Sequence, residues 1–342
     1  MLQFKVACTV NLMMGVYMDI DILLELQDFR NGVGSFLADF LSKMTYLGEL
    51  NTVIILMALI YWAVSKDFGT YLLMGWSGNR LVNGVLKVTA CAYRPWIKDP
   101  RIIPYGNSIT TATGYSFPSG HTMNAATVYG GGMFNKDLSK LLRLLLGILI
   151  ALVAFSRIYL GVHTPQDILV GAIAGIVVMF LMLKLMNWLE KHPEKDIHVV
   201  CIGVALAIVV ALYASLKSYP EDYDAEGKLL VDGAKMANDT FKGIGWCIAF
   251  LVGWILEKRF VCFSTDVPLV KRISRIVLGI LSYYAVSLII VPLLKEWIPS
   301  AAGTISSCFI QMFYIVFVFP WFLKHFEKTI TDGESSLKRY KK

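Results

Sequence analysis

The sequence predicts an all-α protein, a polytopic transmembrane helical bundle of about nine spans. Three observations predict it. Hydrophobic residues make up 56% of the 342-residue chain and charged residues only 17%, against roughly 25% charged in ordinary globular proteins. Mean hydropathy is +0.60. Apolar runs of about 15–24 residues recur along the chain, near the length that crosses a bilayer as a helix. Together these exclude a disordered chain, a collagen, a coiled coil and nearly any soluble enzyme of this size. The net charge of +7 does not mark a nucleic-acid binder, because no basic groove motif with interleaved aromatics is present. In a membrane protein such an excess marks cytoplasmic loops.

Residues 1–45 read as an N-terminal segment. The first 17 residues lack a clear signal-peptide cleavage pattern, and Met18 is an alternative start. Residues 19–43 mix Asp19, Asp21, Glu25, Asp28, Arg30 and Asp39 with Leu, Ile and Phe, the pattern of an amphipathic helix lying on the membrane interface. Spans follow at 46–64, 69–92, 121–134, 141–160, 165–186 and 197–216. Residues 46–216 form the expected membrane core. An acidic loop at 217–240 comes next, then accessory spans at 241–256, 271–294 and 302–323 within 241–323, and a basic tail at 324–342. Six cysteines (Cys8, Cys91, Cys201, Cys247, Cys262 and Cys308) are scattered without a CxxC pair. They read as small core residues, not as a disulfide frame or a metal site.

Nine spans place the loops 93–120, 161–164, 217–240 and 295–301 on one side. Assigning each Lys and Arg to its nearer side puts 18 on the opposite side and 13 on this one, with Arg80 mid-span. That bias makes the C-terminus cytoplasmic and the first set of loops extracytoplasmic.

Ionisable groups near a membrane are costly and are functional candidates by default. They cluster in three blocks, all sent by the span order to the extracytoplasmic side. The first runs from Lys87 to Arg94-Pro95, the second is Phe117-Pro118-Ser119-Gly120-His121, and the third runs from Ser156-Arg157 through His163 to Asp167. Lys87, Arg94 and Arg157 are three cations with no run of carboxylates beside them, so they suit a multiply charged anion. The planar guanidinium fork matches phosphate oxygens. Ser119-Gly120 precedes an apolar helix, whose N-terminal N–H groups form an anion site. A neutral imidazole can attack phosphorus, and a protonated one can give a proton to a leaving oxygen. Asp167 lies one turn beyond His163 and can orient that ring. The expected chemistry is attack by His163 to give a phosphohistidine, with His121 as general acid and then general base. Lys87, Arg94, Arg157 and the N–H groups at Ser119-Gly120 hold the oxygens. No cofactor is called for, and the sequence carries no carboxylate cluster of the Mg²⁺ or Zn²⁺ kind.

These blocks, in this order, closely resemble the signature of the type 2 phosphatidic acid phosphatase (PAP2) superfamily: K-x6-RP, then PSGH, then SR-x5-H-x3-D. All three match without a departure. The resemblance implies a PAP2-type helical core with His163 as nucleophile and His121 as general acid. It also implies that Lys87, Arg94, Ser119, Gly120 and Arg157 are the phosphate ligands. Vanadium haloperoxidases carry a similar constellation but are generally soluble.

Each residue also has a structural reading. Ser119 can be only an N-cap. Thr164-Pro165-Gln166-Asp167 resembles a capping box with Pro at N1. Asn79, Asn83 and Lys87 share one face of a helix, either a polar stripe in the bundle interior or a substrate channel. A site at span ends, at headgroup depth, favours a lipid phosphate partner among the membrane lipids. Candidates are a polyprenyl diphosphate, a phosphatidate or a phosphatidylglycerophosphate. A soluble sugar phosphate is the alternative, since glucose-6-phosphatases resemble this chain in motif set and approximate length. A phosphotransferase and a phosphate-binding lipid transporter are further readings. A transporter predicts polar residues mid-membrane in several spans and an internal repeat, and only one span carries such a stripe.

Overall fold

The computed structural model describes residues 19–224, 226–298 and 300–326, and every regular element among them is helical. In order these are α1 (19–32), α2 (Ser35–Met44), a tight turn at Thr45–Gly48, and α3 (Leu50–Leu59), which continues to Val64. Then come α4 (Lys66–Ala90), the short α5 (Pro95–Lys98), α6 (Gly120–Phe134), α7 (Lys140–Tyr159), α8 (Pro165–Lys191), α9 (Asp196–Leu216), α10 (Gly233–Leu256), α11 (Leu269–Ala285), α12 (Val291–Trp297) and α13 (Ser300–Phe313). The N-terminal start and most of the expected basic tail lie outside the described residues.

All nine segments expected to span are helical, but a count of nine is not confirmed. Five helices are long and apolar enough to cross a bilayer alone: Lys140–Tyr159, Pro165–Lys191, Pro193–Leu216, Leu269–Trp297 and Ser300–Phe326. A sixth qualifies as a pair, Ser35–Gly48 and Leu50–Val64, bent by 51°. The shortfall has local causes. The α6 helix has only 15 residues. The α4 helix buries Asn79, Arg80, Asn83 and Lys87, and α10 begins on Lys235, Asn238 and Asp239.

The expected interfacial helix is broken at Gly34, whose φ of +79° suits glycine. One face of α1 is covered by protein, since Ile20 and Leu23 pack with Ile102 and Ile158. Buried Arg30 donates to Tyr159 O (3.0 Å) and Ile103 O (2.7 Å). Phe29 and Phe36 remain exposed. The five described cysteines are free; Cys247 and Cys308 are buried as expected, whereas Cys201 and Cys262 are exposed.

The described chain divides into two compact units. One gathers the chain up to Val53 with Val82–Phe180 and Leu216–Thr240, and the other gathers Ile54–Leu81, Leu181–Ser215 and the chain from Phe241 onward. The second unit has its own polar clasp: Lys66 pairs with fully buried Glu257 at 2.7 Å, and buried Arg275 donates to the carbonyls of Trp62 and Ser264. All three motif blocks lie in the first unit.

Local chemistry in that unit sets where the motif residues stand. The α7 helix ends in a Schellman motif: Val162 N–H donates to Arg157 O (3.1 Å) and Gly161 N–H to Ile158 O (2.8 Å). Gly161 takes φ +73° there, a conformation that a residue with a Cβ resists. His163 N–H donates to Arg157 O as well (3.3 Å), so the linker folds back onto the end of α7. The α8 helix starts at once. Thr164 N–H donates to Asp167 Oδ2 (2.9 Å) and Asp167 N–H to Thr164 Oγ1 (3.4 Å), the reciprocal capping expected of this tetrapeptide. The α6 helix is capped by Ser119, whose Oγ accepts from Thr122 N–H (3.4 Å).

The α8 helix presses closely on that cap. A Cβ on Gly171 would lie 2.9 Å from Ser119 O, a backbone atom that cannot swing aside. Gly171→Ala is therefore expected to destabilise the protein by about 1–3 kcal/mol, the usual cost of overpacking. Thermal unfolding in detergent reads it, and an unchanged midpoint would contradict the packing described.

Candidate active site

Backbone bonds knit the three blocks together before any side chain is considered. Ser116 N–H donates to Ala92 O (2.8 Å), and Ser119 N–H to Asp167 O (2.9 Å). The first joins the Lys87–Pro95 block to the approach of the second block, and the next joins the second block to the third. Arg94 completes the set by donating from Nη1 to Val162 O at 3.1 Å. Lys87, Arg94, Ser119, Arg157, His163 and Asp167 are all buried.

The histidine of the third block has its tautomer set by its neighbours. Nδ1 of His163 faces Asp167 Oδ2 at 3.1 Å, and Nε2 faces Arg94 Nη1 at 2.9 Å. A carboxylate only accepts and a guanidinium only donates. The proton therefore sits on Nδ1 and the lone pair on Nε2. Burial, with the Arg94 charge beside it, pushes the imidazole down to about 3, although Asp167 pulls the other way. The ring is neutral across the physiological range. Arg94 is lowered to about 10 by burial, with Asp167 and Asp239 opposing, and it keeps its charge at neutral pH.

This depression has a consequence for stability. Above about pH 6.5 both the folded and unfolded chains hold His163 neutral. As pH falls below that value the unfolded chain takes up a proton that the folded site refuses. Stability is therefore fully present above pH 6.5 and lost progressively toward pH 3, by at most about 1.4 kcal/mol per pH unit. Wild type should lose more thermal stability than His163→Gln between pH 7 and pH 4. Parallel losses would contradict the assignment.

Asp167 Oδ2 is a point of convergence. It accepts from Ser116 Oγ (2.5 Å) and Thr164 N–H (2.9 Å) as well as facing His163. Capping and ring orientation thus coexist on one oxygen. Ser116 is a residue that the motif analysis missed, and only its place three residues before Ser119 could have drawn attention to it.

Carbonyls hold Lys87 and Arg94, and a hydroxyl holds Arg157. Lys87 Nζ donates to Tyr115 O. Arg94 donates from Nε to Gly114 O (3.0 Å) and from Nη2 to Thr113 O (2.6 Å). Thr113 in turn donates from Oγ1 to Asp239 Oδ2 at 2.9 Å, so the first turns of α10 touch the loop that cradles Arg94. Nothing in the motif spacing pointed to Asp239. Arg157 donates from Nη1 to Thr45 Oγ1 at 2.7 Å, while its Nε and Nη2 are buried without a protein acceptor among the described residues. His121 Nε2 is likewise buried without a protein partner among the described residues. Arg157, His163, Arg94 and Lys87 all stand close enough to His121 for their charges to act on it.

One expectation needs correction. The N–H groups at Ser119-Gly120 were expected to point together at an anion, but the Ser119 N–H is taken by Asp167 O. The Ser119 hydroxyl instead accepts twice, from Thr122 N–H and from Thr122 Oγ1 (3.1 Å). Its own hydrogen is left to donate. Gly120 opens α6 as its first residue.

Buried donors without acceptors cost about 1–3 kcal/mol each and more when charged. An unengaged guanidinium edge, a buried lysine and a hydroxyl donor are chemically matched to the oxygens of a tetrahedral oxyanion, and a neutral imidazole lone pair is matched to the electrophilic atom at its centre.

Comparison with known proteins gives a consistent picture. The family model described as the PAP2 superfamily matches residues 68–191. A second, described as PAP2 superfamily phosphatase, transmembrane extension, matches residues 241–329. Phosphatidylglycerophosphatase B of Bacillus subtilis is 31% identical over 172 residues, which cover 47% of this chain and 80% of that protein. Dolichyldiphosphatase of Saccharomyces cerevisiae is 27% identical over 179 residues, covering 45% and 71%. Among solved structures, the transmembrane PAP2 type phosphatidylglycerolphosphate phosphatase from Bacillus subtilis aligns at 27% identity with a TM-score of 0.41, over 50% of this chain and 85% of that one.

Proposed function

The chain belongs to the PAP2 superfamily of membrane phosphatases, and from that premise we propose that it hydrolyses a lipid phosphate or diphosphate through a phosphohistidine at His163. The observation that carries the reading is the pairing of His163. Its Nε2 lone pair is held toward Arg94 by an Nδ1–H aimed at Asp167, and buried Arg157 stands within charge range of His121.

The reaction runs in two steps. As phosphate enters, the Arg94 guanidinium turns its hydrogen bond from Nε2 to a phosphate oxygen, which frees the lone pair. Nε2 attacks phosphorus in line, and the bond to the leaving oxygen breaks. His121 gives that oxygen its proton, and the negative charge of the bound phosphate favours a proton on His121 beforehand. Asp167 stabilises the ring as it becomes cationic. In the second step His121 takes a proton from water, the water oxygen attacks phosphorus, and the P–N bond breaks to restore the Nε2 lone pair. Lys87, Arg94, the Arg157 edge, the Ser119 hydroxyl and the Gly120 N–H neutralise the equatorial oxygens, where charge spreads. These donors supply the stabilisation from the chain itself, so the mechanism is metal-independent.

The lipid class is supported by the related proteins, whose names include phosphatidylglycerophosphatase, undecaprenyl-diphosphatase and dolichyldiphosphatase. It is also supported by the apolar helices Lys140–Tyr159 and Pro165–Lys191, which carry Arg157 and Asp167. The excess of Lys and Arg on the opposite side supports an extracytoplasmic site and a cytoplasmic C-terminus.

The test is phosphate release in detergent from a polyprenyl diphosphate, a phosphatidate, a phosphatidylglycerophosphate and glucose 6-phosphate, each with excess chelator. Release from a lipid, unaffected by chelator and blocked by vanadate, is expected. Release from the sugar phosphate alone would overturn the lipid assignment, and strong inhibition by chelator would overturn the metal-independent mechanism.

A further inference from the structure

We propose that Thr45, in the turn between α2 and α3, is a positioning residue that sets the Arg157 guanidinium for phosphate. This deepens the reading above and rests on it. Thr45 lies outside residues 68–191, matched by the family model, and outside all three motif blocks.

A guanidinium presents its donors in two sets. Nε and Nη2 share one edge and form a fork that meets two oxygens at once. Nη1 is the remaining corner. Thr45 Oγ1 accepts from that corner at 2.7 Å, and the Nε and Nη2 edge is the part left buried without a protein acceptor. An acceptor on Nη1 fixes the rotation of the guanidinium plane. It thereby holds the forked edge on the side away from Thr45, and Arg94, His121 and His163 all stand within charge range of that guanidinium. Arg157 is fully buried and Thr45 nearly so, so water is not at hand to replace the hydroxyl.

The turn itself is tied to the elements that carry the chemistry. Asn124 Nδ2 donates to Gly48 O (3.0 Å), and Tyr129 Oη donates to Leu47 O (2.9 Å). Both donors stand on α6, the helix that bears His121. A Cβ on Gly48 would come within 2.7 Å of His121 O and 2.6 Å of Val153 Cγ1, so the turn sits directly on the backbone of His121 and on α7.

The experiment uses the full-length protein in detergent, with whichever lipid phosphate it hydrolyses and with orthovanadate as the probe of the phosphate site. Thr45→Val, Thr45→Ser, Arg157→Ala and the Thr45→Val/Arg157→Ala double variant are compared. Thr45→Val keeps the volume and removes the acceptor. Its vanadate inhibition constant is expected to rise about tenfold and its kcat/KM to fall by a similar factor, as for loss of a hydrogen bond to a charged group. Thr45→Ser should stay within about threefold of wild type, and Thr45→Val should add little once Arg157 is alanine. Equal losses in Thr45→Val and Thr45→Ser would overturn the proposal, because packing and not the hydroxyl would then matter. Wild-type vanadate affinity in Thr45→Val, with Arg157→Ala crippled, would also overturn it and leave the site reading standing. A fully active Arg157→Ala would remove the site reading and the proposal together. If Thr45→Val fails to fold, Thr45→Ala against Thr45→Ser decides by the same criteria.

Discussion

His163→Ala is expected to abolish phosphate release, by at least about 10³-fold in kcat, with little change in KM. Removing a nucleophile takes away an interaction that exists only along the reaction coordinate. The protein fold around it survives the change. Asp167 Oδ2 keeps its bonds to Ser116 and Thr164, and Arg94 keeps three carbonyl acceptors. Vanadate should still bind the variant weakly through the remaining cations. Phosphate release at the wild-type rate would refute the nucleophile assignment, and loss of all folded protein would be read from the thermal melt.

Asp167→Asn is expected to have the second largest effect, about 10³-fold in kcat. An amide presents a neutral oxygen or an N–H to Nδ1 where a carboxylate stood. It no longer stabilises the imidazolium character that builds on phosphorylation, and in one orientation it selects the wrong tautomer. The same substitution weakens the cap of α8, a cost of about 0.5–2 kcal/mol. The two effects separate cleanly, because a tenfold change in rate corresponds to about 1.4 kcal/mol of barrier and a capping loss does not act on the barrier. A variant that melts a few degrees lower with near-normal kcat would show Asp167 to be a structural cap alone. One that folds well and turns over about 10³-fold more slowly supports the orienting role.

Much of this was legible in the sequence, for identifiable reasons. The three blocks stand out because cations and histidines beside apolar runs are expensive, and a fixed spacing concentrates them. The capping box at Thr164–Asp167 is local in sequence, so its geometry follows from four residues. Thr45, Ser116 and Asp239 are different. Each acts on a site residue through a contact made by folding, and a threonine, a serine or an aspartate near a helix end carries no signal of its own. Hydropathy also treats every apolar run alike. It divided the bent pair Ser35–Gly48 and Leu50–Val64 into an interfacial helix and a span, because a bend leaves no trace in mean hydropathy. It scored α6 as a span on its apolar content, though that helix has only 15 residues.

The proposed reaction passes through a covalent bond between phosphorus and His163 Nε2. The direct measurement is to mix His121→Ala enzyme with a phosphate ester of a good leaving group, quench in base, digest and locate the phosphate by mass spectrometry. A phosphoryl group on His163, stable in base, lost in acid and absent from the His121→Ala/His163→Ala double variant, is the expected result. Release of the leaving group with no phosphorylated peptide, or with the label on another residue, would contradict it.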